Sequence, residues 1–506
     1  MSKQPDPIRL TVALLAGLVA GTTQAAVSAP DLAPAVPPGL RADPARRIFA
    51  DLSAPRRPPT PPGRHATHLV GNCDDDGIGS LRGTIAGAGD GDVIDLTRLT
   101  CARITLATGA IAVDADNLTL AGPGRDQLTI DGHRDDRVFV HSGQGTFTLR
   151  GLTVENGLNR ADRFDVAGGA CIASAAFITL VDASVRNCYA AAIGAYGGAL
   201  YAYGLTMANS TLSGNTALGV HGLTDTAAFG GAAFVYTMDL TDSTVSGNQA
   251  IHRERPGYTS YDIGGGIVSV RGGEVRNSTI DANRSGGRGG GIATFSSMTV
   301  VNSTFSGNLA ASAMGGALFL RWPAALRASN STLTGNVAVA GGGLWLTENG
   351  TQLQSTLIQG NFAGAGHFAD IEGPAGRTLS IQGGNNLIGA NAPELSLPGD
   401  TLHADAGLGP LLANGGPTRT HALAPGSPAI DAGNNREGLA DDQRGSPFVR
   451  VFGAAADIGA YEWQPGAPPE PATPVPTLGA AGRGIMWALM LLFASLGLRR
   501  HGSRRG

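Results

Sequence analysis

The sequence predicts an all-β protein, a single-stranded parallel β-helix with an N-terminal cap and a C-terminal closing module. One phrase carries most of that prediction: Asn209-Ser-Thr-Leu-Ser-Gly-Asn215 recurs, with small changes, as Asp242 to Asn248, Asn277 to Asn283, Asn302 to Asn308 and Asn330 to Asn336. A glycine pair leading into an apolar run, such as Gly197-Gly198-Ala-Leu-Tyr or Gly230-Gly231-Ala-Ala-Phe, stands about 12 residues before nearly every copy. Self-similarity at a period of roughly 20 to 50 residues means stacked supersecondary units, and short strands parted by Gly and Asn make those units β-coils. Glycine, at 76 of 506 residues, has about twice its usual share of roughly 7% without the three-residue period of collagen, so it serves turns.

In chain order, residues 1–25 read as a secretory signal peptide. Lys3 and Arg9 precede an apolar stretch from Leu10 to Ala20 and a small-residue exit at Thr23-Gln-Ala25, too short for a membrane span. Residues 26–68, rich in Pro, Ala and Arg, read as an extended linker. The only lysine, Lys3, lies in the signal peptide, so the mature chain has neither Schiff-base chemistry nor a lysine general base. A net charge of −4 excludes nucleic acid as the main partner, since a phosphate-binding surface needs clustered basic charge.

Residues 69–100 form the predicted N-terminal cap, needed because a parallel solenoid leaves an open strand edge. Ser80 is placed to cap a short helix whose Leu81 and Ile85 cover the first rung. Asp74, Asp75 and Asp76 are candidates for calcium, set against a cap-stabilising or solvated acidic run. Four cysteines permit three pairings. The one in which each bridge brackets a coil-length stretch joins Cys73 to Cys101 and Cys171 to Cys188. No C-x-x-C or H-x-x-x-H spacing accompanies them, which disfavours zinc.

Residues 101–384 are the predicted coils, about ten of them. Alternation such as Leu205-Thr-Met207 sends one set of side chains inward and Thr and Ser outward. Rungs about 4.8 Å apart would stack Asn215, Asn248, Asn283, Asn308, Asn336 and Asn361 into an amide ladder with a structural role. The glycine pairs mark a corner that needs positive φ. The gaps between each ladder Asn and the next glycine pair vary, so loops leave from one edge. The longest are 216–229 and 249–263, the second carrying His252-Arg-Glu-Arg255, Tyr258, Tyr261 and Asp262, read either as a sugar-holding loop or as a solvated insertion.

Residues 385–463 carry Asn385-Asn-Leu-Ile-Gly389, Gly409-Pro-Leu-Leu-Ala-Asn-Gly-Gly-Pro-Thr418, Pro425-Gly-Ser-Pro-Ala-Ile-Asp-Ala-Gly433, Asp442-Gln-Arg-Gly445 and Asp457-Ile-Gly-Ala-Tyr-Glu462. This series resembles the choice-of-anchor Q domain. The resemblance implies the end of a right-handed β-helix just ahead of a surface-attachment signal, with Asp431, Asp442, Arg444, Asp457 and Glu462 as a closing network of hydrogen bonds and ion pairs. The cap, with Gly79-Ser-Leu-Arg-Gly-Thr in place of the literal Cys-Ser-Leu-Arg-Glu-Ala, is similar to that of the CSLREA-type exported right-handed β-helices. A Pro-rich spacer at 464–476 leads to the tail 475–506, which holds Val475, Pro476, Thr477 and Leu478, an apolar segment at 485–498 and a basic end. The tail resembles the IPTL-CTERM sorting signal of proteobacterial exported proteins, with Val475 in place of isoleucine. That implies attachment to the membrane until a sorting enzyme processes the signal; the other reading is a plain tail anchor. The predicted address is a Gram-negative envelope, at its outer surface or secreted.

Right-handed, pectate-lyase-like solenoids host many polysaccharide lyases and hydrolases, but a fold alone establishes no reaction. Hydrolysis needs two placed carboxylates, and the best cluster is His133, Asp135 and Asp136. Neighbouring side chains on a strand face opposite ways, which separates that pair unless it lies in a turn. Arg284, Arg288 and Arg321 are candidates to line a groove. No cofactor motif is present; calcium is the one candidate ion. Two functions follow: a non-enzymatic surface protein displaying an adhesion or glycan-binding face, with a polysaccharide or other cell-surface ligand as partner, or a polysaccharide lyase or glycoside hydrolase acting in a groove.

Overall fold

The computed structural model describes residues 65–161, 166–220, 226–253, 260–321 and 323–465. The signal peptide, most of the linker and the tail, including Pro476, Thr477, Leu478 and the apolar segment, lie outside them. Among the described residues no helix is long and apolar enough to cross a membrane.

The chain is a right-handed parallel β-helix. A narrow face of 11 parallel strands runs from Arg103–Thr105 to Leu387–Ile388, one strand per rung. Among the described residues a broad face gathers most of the other strands in a 20-stranded sheet. Narrow-face strands are mostly three residues long, so the middle side chain points in and its neighbours point out. The inward column Ile104, Ile130, Val154, Val185, Leu212, Val245, Ile280, Phe305, Leu333, Ile358 and Ile388 is wholly buried. Each such burial contributes about 2 kcal/mol, and together they make one core from cap to end.

The repeated phrase encodes a corner, a strand and a second corner. Its first residue, Asn209, Asp242, Asn277, Asn302 or Asn330, takes a left-handed φ between 45° and 53°, which Asn and Asp tolerate better than other side chains. The following Ser210, Ser243, Ser278, Ser303 and Ser331 form a hydroxyl ladder: the N–H of each donates to the Oγ of the next at 3.0–3.2 Å. After the strand comes the amide ladder. The backbone N–H and Nδ2 of each asparagine from Asn215 to Asn336 donate to Oδ1 of the next, ending on Asn361. Asp370 closes the column by accepting both donors of Asn361.

The glycine pairs divide two tasks. Gly230 takes φ +69°, whereas Gly231 has no positive φ but stacks so closely that an added Cβ would lie 2.1 Å from the carbonyl oxygen of Gly265 on the next rung. Gly247 also has positive φ, at +65°, with nothing within 4 Å of an added Cβ. Gly231→Ala therefore costs more than Gly247→Ala, about 3 kcal/mol against about 1 kcal/mol. Urea midpoints of the two variants check this ordering.

Three readings of the sequence change. The segments 216–229 and 249–263 are largely strand: Thr216–Gly219 and Gln249–His252 pair in a six-stranded sheet, Thr226–Phe229 and Ser260–Ile263 in a four-stranded one. The two small sheets pack through Ala195, Ala217, Ala228 and Ala250. These excursions stack because the same backbone pairing continues outward on each rung. Tyr261 and Asp262 thus belong to a strand, and Asp262 pairs with His252; Glu254, Arg255 and Tyr258 lie outside the described residues. Next, Thr67 and His68 already pair with Val93 and Ile94, ahead of the boundary at 69, so the capping segment itself supplies the first rung. Its single helix, Leu81–Ala86, is capped by Ser80 Oγ and buries Leu81 and Ile85.

The third change concerns the closing module. Its first part, residues 385–402, completes the last rung, with Leu395–Ser396 paired to Leu379–Ser380 and Leu402 bridged to Leu387, and the rest turns back along the outer side of the narrow face. Thr304 Oγ1 donates to Gln443 Oε1 at 2.6 Å, Ser306 Oγ meets His421 Nε2 at 2.8 Å, and Thr332 Oγ1 accepts the N–H of Ala460 at 3.0 Å. The outward column of that face reads Thr279, Thr304, Thr332, then Leu357 and Leu387. The two leucines pack with Leu423, Ile458 and Tyr461 of the module. An apolar patch on the side of the solenoid is what the module covers. The two disulfides join Cys73 to Cys101 and Cys171 to Cys188.

Candidate functional site

The broad face turns one polar column outward. Strand register aligns Thr206, Asp239, Glu274, Thr299, Arg327, Gln352 and Gln382 on successive rungs. At the lower rungs the column enters two adjoining hollows of about 250 and 260 Å³. Arg327 and Gln352 line both; Gln382, Gln354, Ser329, Arg436 and Glu437 line the first, and Ser297 and Thr299 the second. The closing module supplies one wall: Glu437 accepts a hydrogen bond from Ser329 Oγ at 3.0 Å and sits 3.4 Å from Arg327. Amides, hydroxyls and two guanidiniums on a shallow floor suit a hydroxyl-rich chain running along the axis. A rung spacing of about 4.8 Å is close to the length of one pyranose residue.

Two carboxylates stand next to one another in this column. Asp239 and Glu274 occupy paired positions on neighbouring strands, and Glu274 is held by Arg276. Burial, then the Glu274 charge, push the Asp239 carboxyl above its ordinary value, with Arg276 opposing. A rung spacing of about 4.8 Å approaches the roughly 5 Å separation of retaining glycosidase carboxylates.

Beside the polar column lies an aromatic one. Tyr203 stacks on Tyr236 at 5.3 Å, and Tyr201 on Phe234 at 5.8 Å. Further along, Phe319 and Trp345 continue the column of Tyr201 and Phe234, joining a buried cluster with Phe295 packed against it. Arg288 lies over the Phe319 ring at 5.8 Å and Arg321 over the Phe295 ring at 5.3 Å.

The other candidates are placed as follows. His133 Nδ1 meets Asp135 Oδ2 at 2.8 Å, but both side chains are 61% exposed. Asp136 instead accepts the N–H of Ala110 and of Arg137. His133 and Arg134 both have positive φ, so the segment is a turn that leaves His133 and Asp135 together in solvent and directs Asp136 to the backbone of Ala110. Asp74, Asp75 and Asp76 do not converge either. Asp75 is committed to Arg82 at 2.9 Å and to the N–H groups of Ala107 and Thr108. Burial opposes ionisation of Asp75, yet Arg82 and the other hydrogen bonds hold its carboxyl below the ordinary value. Asp76 accepts the N–H of its neighbour Gly77. Among the described residues no group of three or more His, Cys, Asp or Glu side chains is arranged to hold a metal ion. Arg284 sits in the strand Arg284–Ser285 inside the six-stranded sheet, paired with Gln249 on one side and Leu309 on the other.

Of the closing network, Asp442 holds Arg444, whose guanidinium lies between the rings of Phe448 and Tyr461 at 3.8 and 3.9 Å. Glu462 holds Arg450, and Asp457 accepts the N–H of Asp431 and Trp463. Asp431 in turn caps the N–H groups of Ala454 and Ala455. These hydrogen bonds and ion pairs involve all five expected residues, with Arg450 as an added centre.

No protein-family model matches the chain, and no curated protein matches it. Among solved structures, the crystal structure of pectate lyase Pel9A matches with a TM-score of 0.38 and 12% identity, over 79% of this chain and 97% of that one.

Proposed function

We propose that the protein is an exported, envelope-associated β-helix whose broad face binds a polysaccharide strand along the solenoid axis, holding it for adhesion without cleaving it. The observation that carries this reading is the outward column from Asp239 to Gln382 running into hollows walled by Arg436 and Glu437. Amides such as Gln352 and Gln382 exchange hydrogen bonds with sugar hydroxyls in either sense. The secretory signal and the two disulfides support an oxidising, extracytoplasmic address. On this reading the tail is a membrane-attached sorting signal until a processing enzyme acts on it. Gln352→Ala combined with Gln382→Ala should weaken retention on the bound glycan at least tenfold, as measured by affinity electrophoresis across a panel of acidic and neutral polysaccharides. Unchanged retention would sink the assignment to this groove.

A second reading rests on the Asp239–Glu274 pair: glycoside hydrolysis, with the raised carboxyl of Asp239 as acid and Glu274, held by Arg276, as the second carboxyl group. New reducing ends in the same panel, lost in Asp239→Asn, would establish it in place of simple binding.

A further inference from the structure

We propose that Arg288 and Arg321 form a subsite for the anionic group of an acidic sugar, a carboxylate or a sulfate, on the strand held by the broad face. This rests on the glycan-binding reading and names the class of glycan. Both guanidiniums lie on aromatic rings of the outer aromatic cluster, Arg288 on Phe319 and Arg321 on Phe295. Among the described residues neither guanidinium makes an ion pair or hydrogen bond. Elsewhere the fold pairs its withdrawn arginines with carboxylates: Arg82 with Asp75, Arg444 with Asp442, Arg450 with Glu462.

Arg288 is half-buried, and the charge of Arg321 is close enough to disfavour it. Burial and then Arg321 lower its affinity for a proton, with Tyr261 opposing. Two like charges, one of them partly desolvated, cost stability unless an anion lies between them. A guanidinium presents a planar fork of donors that fits a carboxylate or sulfate with two parallel hydrogen bonds. The ring beside each guanidinium, 5.8 Å away for Arg288 and 5.3 Å for Arg321, limits where the fork can swing. Arg321 belongs to the same rung as Arg327 of the groove, a few residues upstream. An anion at the pair therefore hangs from a strand lying along the polar column.

The test is affinity electrophoresis of the full chain in polygalacturonate, dextran sulfate and neutral dextran. The expected result is retention by an anionic glycan and not by dextran, with Arg288→Gln/Arg321→Gln reducing that affinity at least tenfold. Preference for polygalacturonate assigns a carboxylate and preference for dextran sulfate a sulfate; either supports the subsite. The double variant should melt no lower than the parent, because it removes a like-charge pair, whereas a purely structural pair would lower the melting temperature. Arg271→Gln/Arg284→Gln, at other positions on the solenoid, should change retention little, and an equal loss there would reduce the effect to general polyanion attraction and overturn the proposal. Equal retention by dextran, or an unchanged double variant, also overturns it. If the Gln352→Ala/Gln382→Ala variant then still loses binding, the glycan reading survives and only this subsite fails. No retention of the parent by any glycan removes both.

Discussion

Asn283→Ala should lower the unfolding free energy by about 4 kcal/mol, since each buried polar group left without a partner costs about 1–3 kcal/mol. Asn283 Oδ1 accepts from the N–H and Nδ2 of Asn248 at 3.0 and 2.9 Å, and its own Nδ2 donates to Asn308 Oδ1 and Val245 O at 2.9 and 2.8 Å. The site is fully buried, so water does not replace what is lost. Because each rung contacts only its neighbours, the damage falls on the two adjoining interfaces and propagates as lost cooperativity. The shift in urea midpoint, with the slope recorded beside it, measures the loss. Asn283→Asp keeps the shape but turns an acceptor toward Asn308 Oδ1 and Val245 O. It should be at least as destabilising at neutral pH and recover partly in acid, where the protonated carboxyl again donates. A loss below about 1 kcal/mol in Asn283→Ala, the worth of one ordinary net hydrogen bond, would remove the ladder from its structural role.

Arg450→Met should destabilise the closing module by about 3–5 kcal/mol, the usual cost of stripping one partner from a buried ion pair. Arg450 and Glu462 are both wholly buried and 2.8 Å apart. Glu462 also accepts the N–H groups of Phe452 and Asp457 at 2.7 and 2.8 Å. Burial still pushes its carboxyl from 4.5 up to about 7, with Arg450 and these backbone donors opposing. A carboxyl raised on folding contributes stability that is complete below its unfolded value and is lost as pH rises through its folded value. For Glu462 that window runs from about 4.5 to about 7. Thermal unfolding across this range should therefore show a decline with pH that Glu462→Gln flattens. Arg450→Met should move the decline to higher pH, because the cation that opposes burial is gone. A variant as stable as the parent at pH 8 would contradict this account of the module.

The solenoid was legible because its signals are local and repeated. The Asn ladder follows from one phrase at one corner, and the structure extends it only to Asp370. The serine ladder was equally present in the sequence, one residue after each left-handed Asn or Asp. The polar column was legible too: Thr206, Asp239, Glu274, Thr299, Arg327 and Gln352 each stand nine residues before a ladder asparagine, so counting back from the ladder finds the column that a search for acidic runs passes over. The pairing of Arg288 with Arg321 was not recoverable that way. The bend between the two halves of each broad-face segment varies in length, so Ala293 stands 15 residues before its ladder asparagine while its strand partner Phe319 stands 17. Nor did local pattern show where the closing module lies, because its contacts, such as Asp281 with Arg419 and Thr304 with Gln443, join residues more than a hundred positions apart.

The claim that a glycan strand lies along the axis is tested most directly by the affinity of acidic oligosaccharides of increasing length, measured by titration calorimetry on the full chain. Binding along the column predicts affinity that rises with each added sugar until the six rungs from Asp239 to Gln382 are filled, then levels off. Affinity that is already maximal for a disaccharide, or no binding at any length, would contradict it.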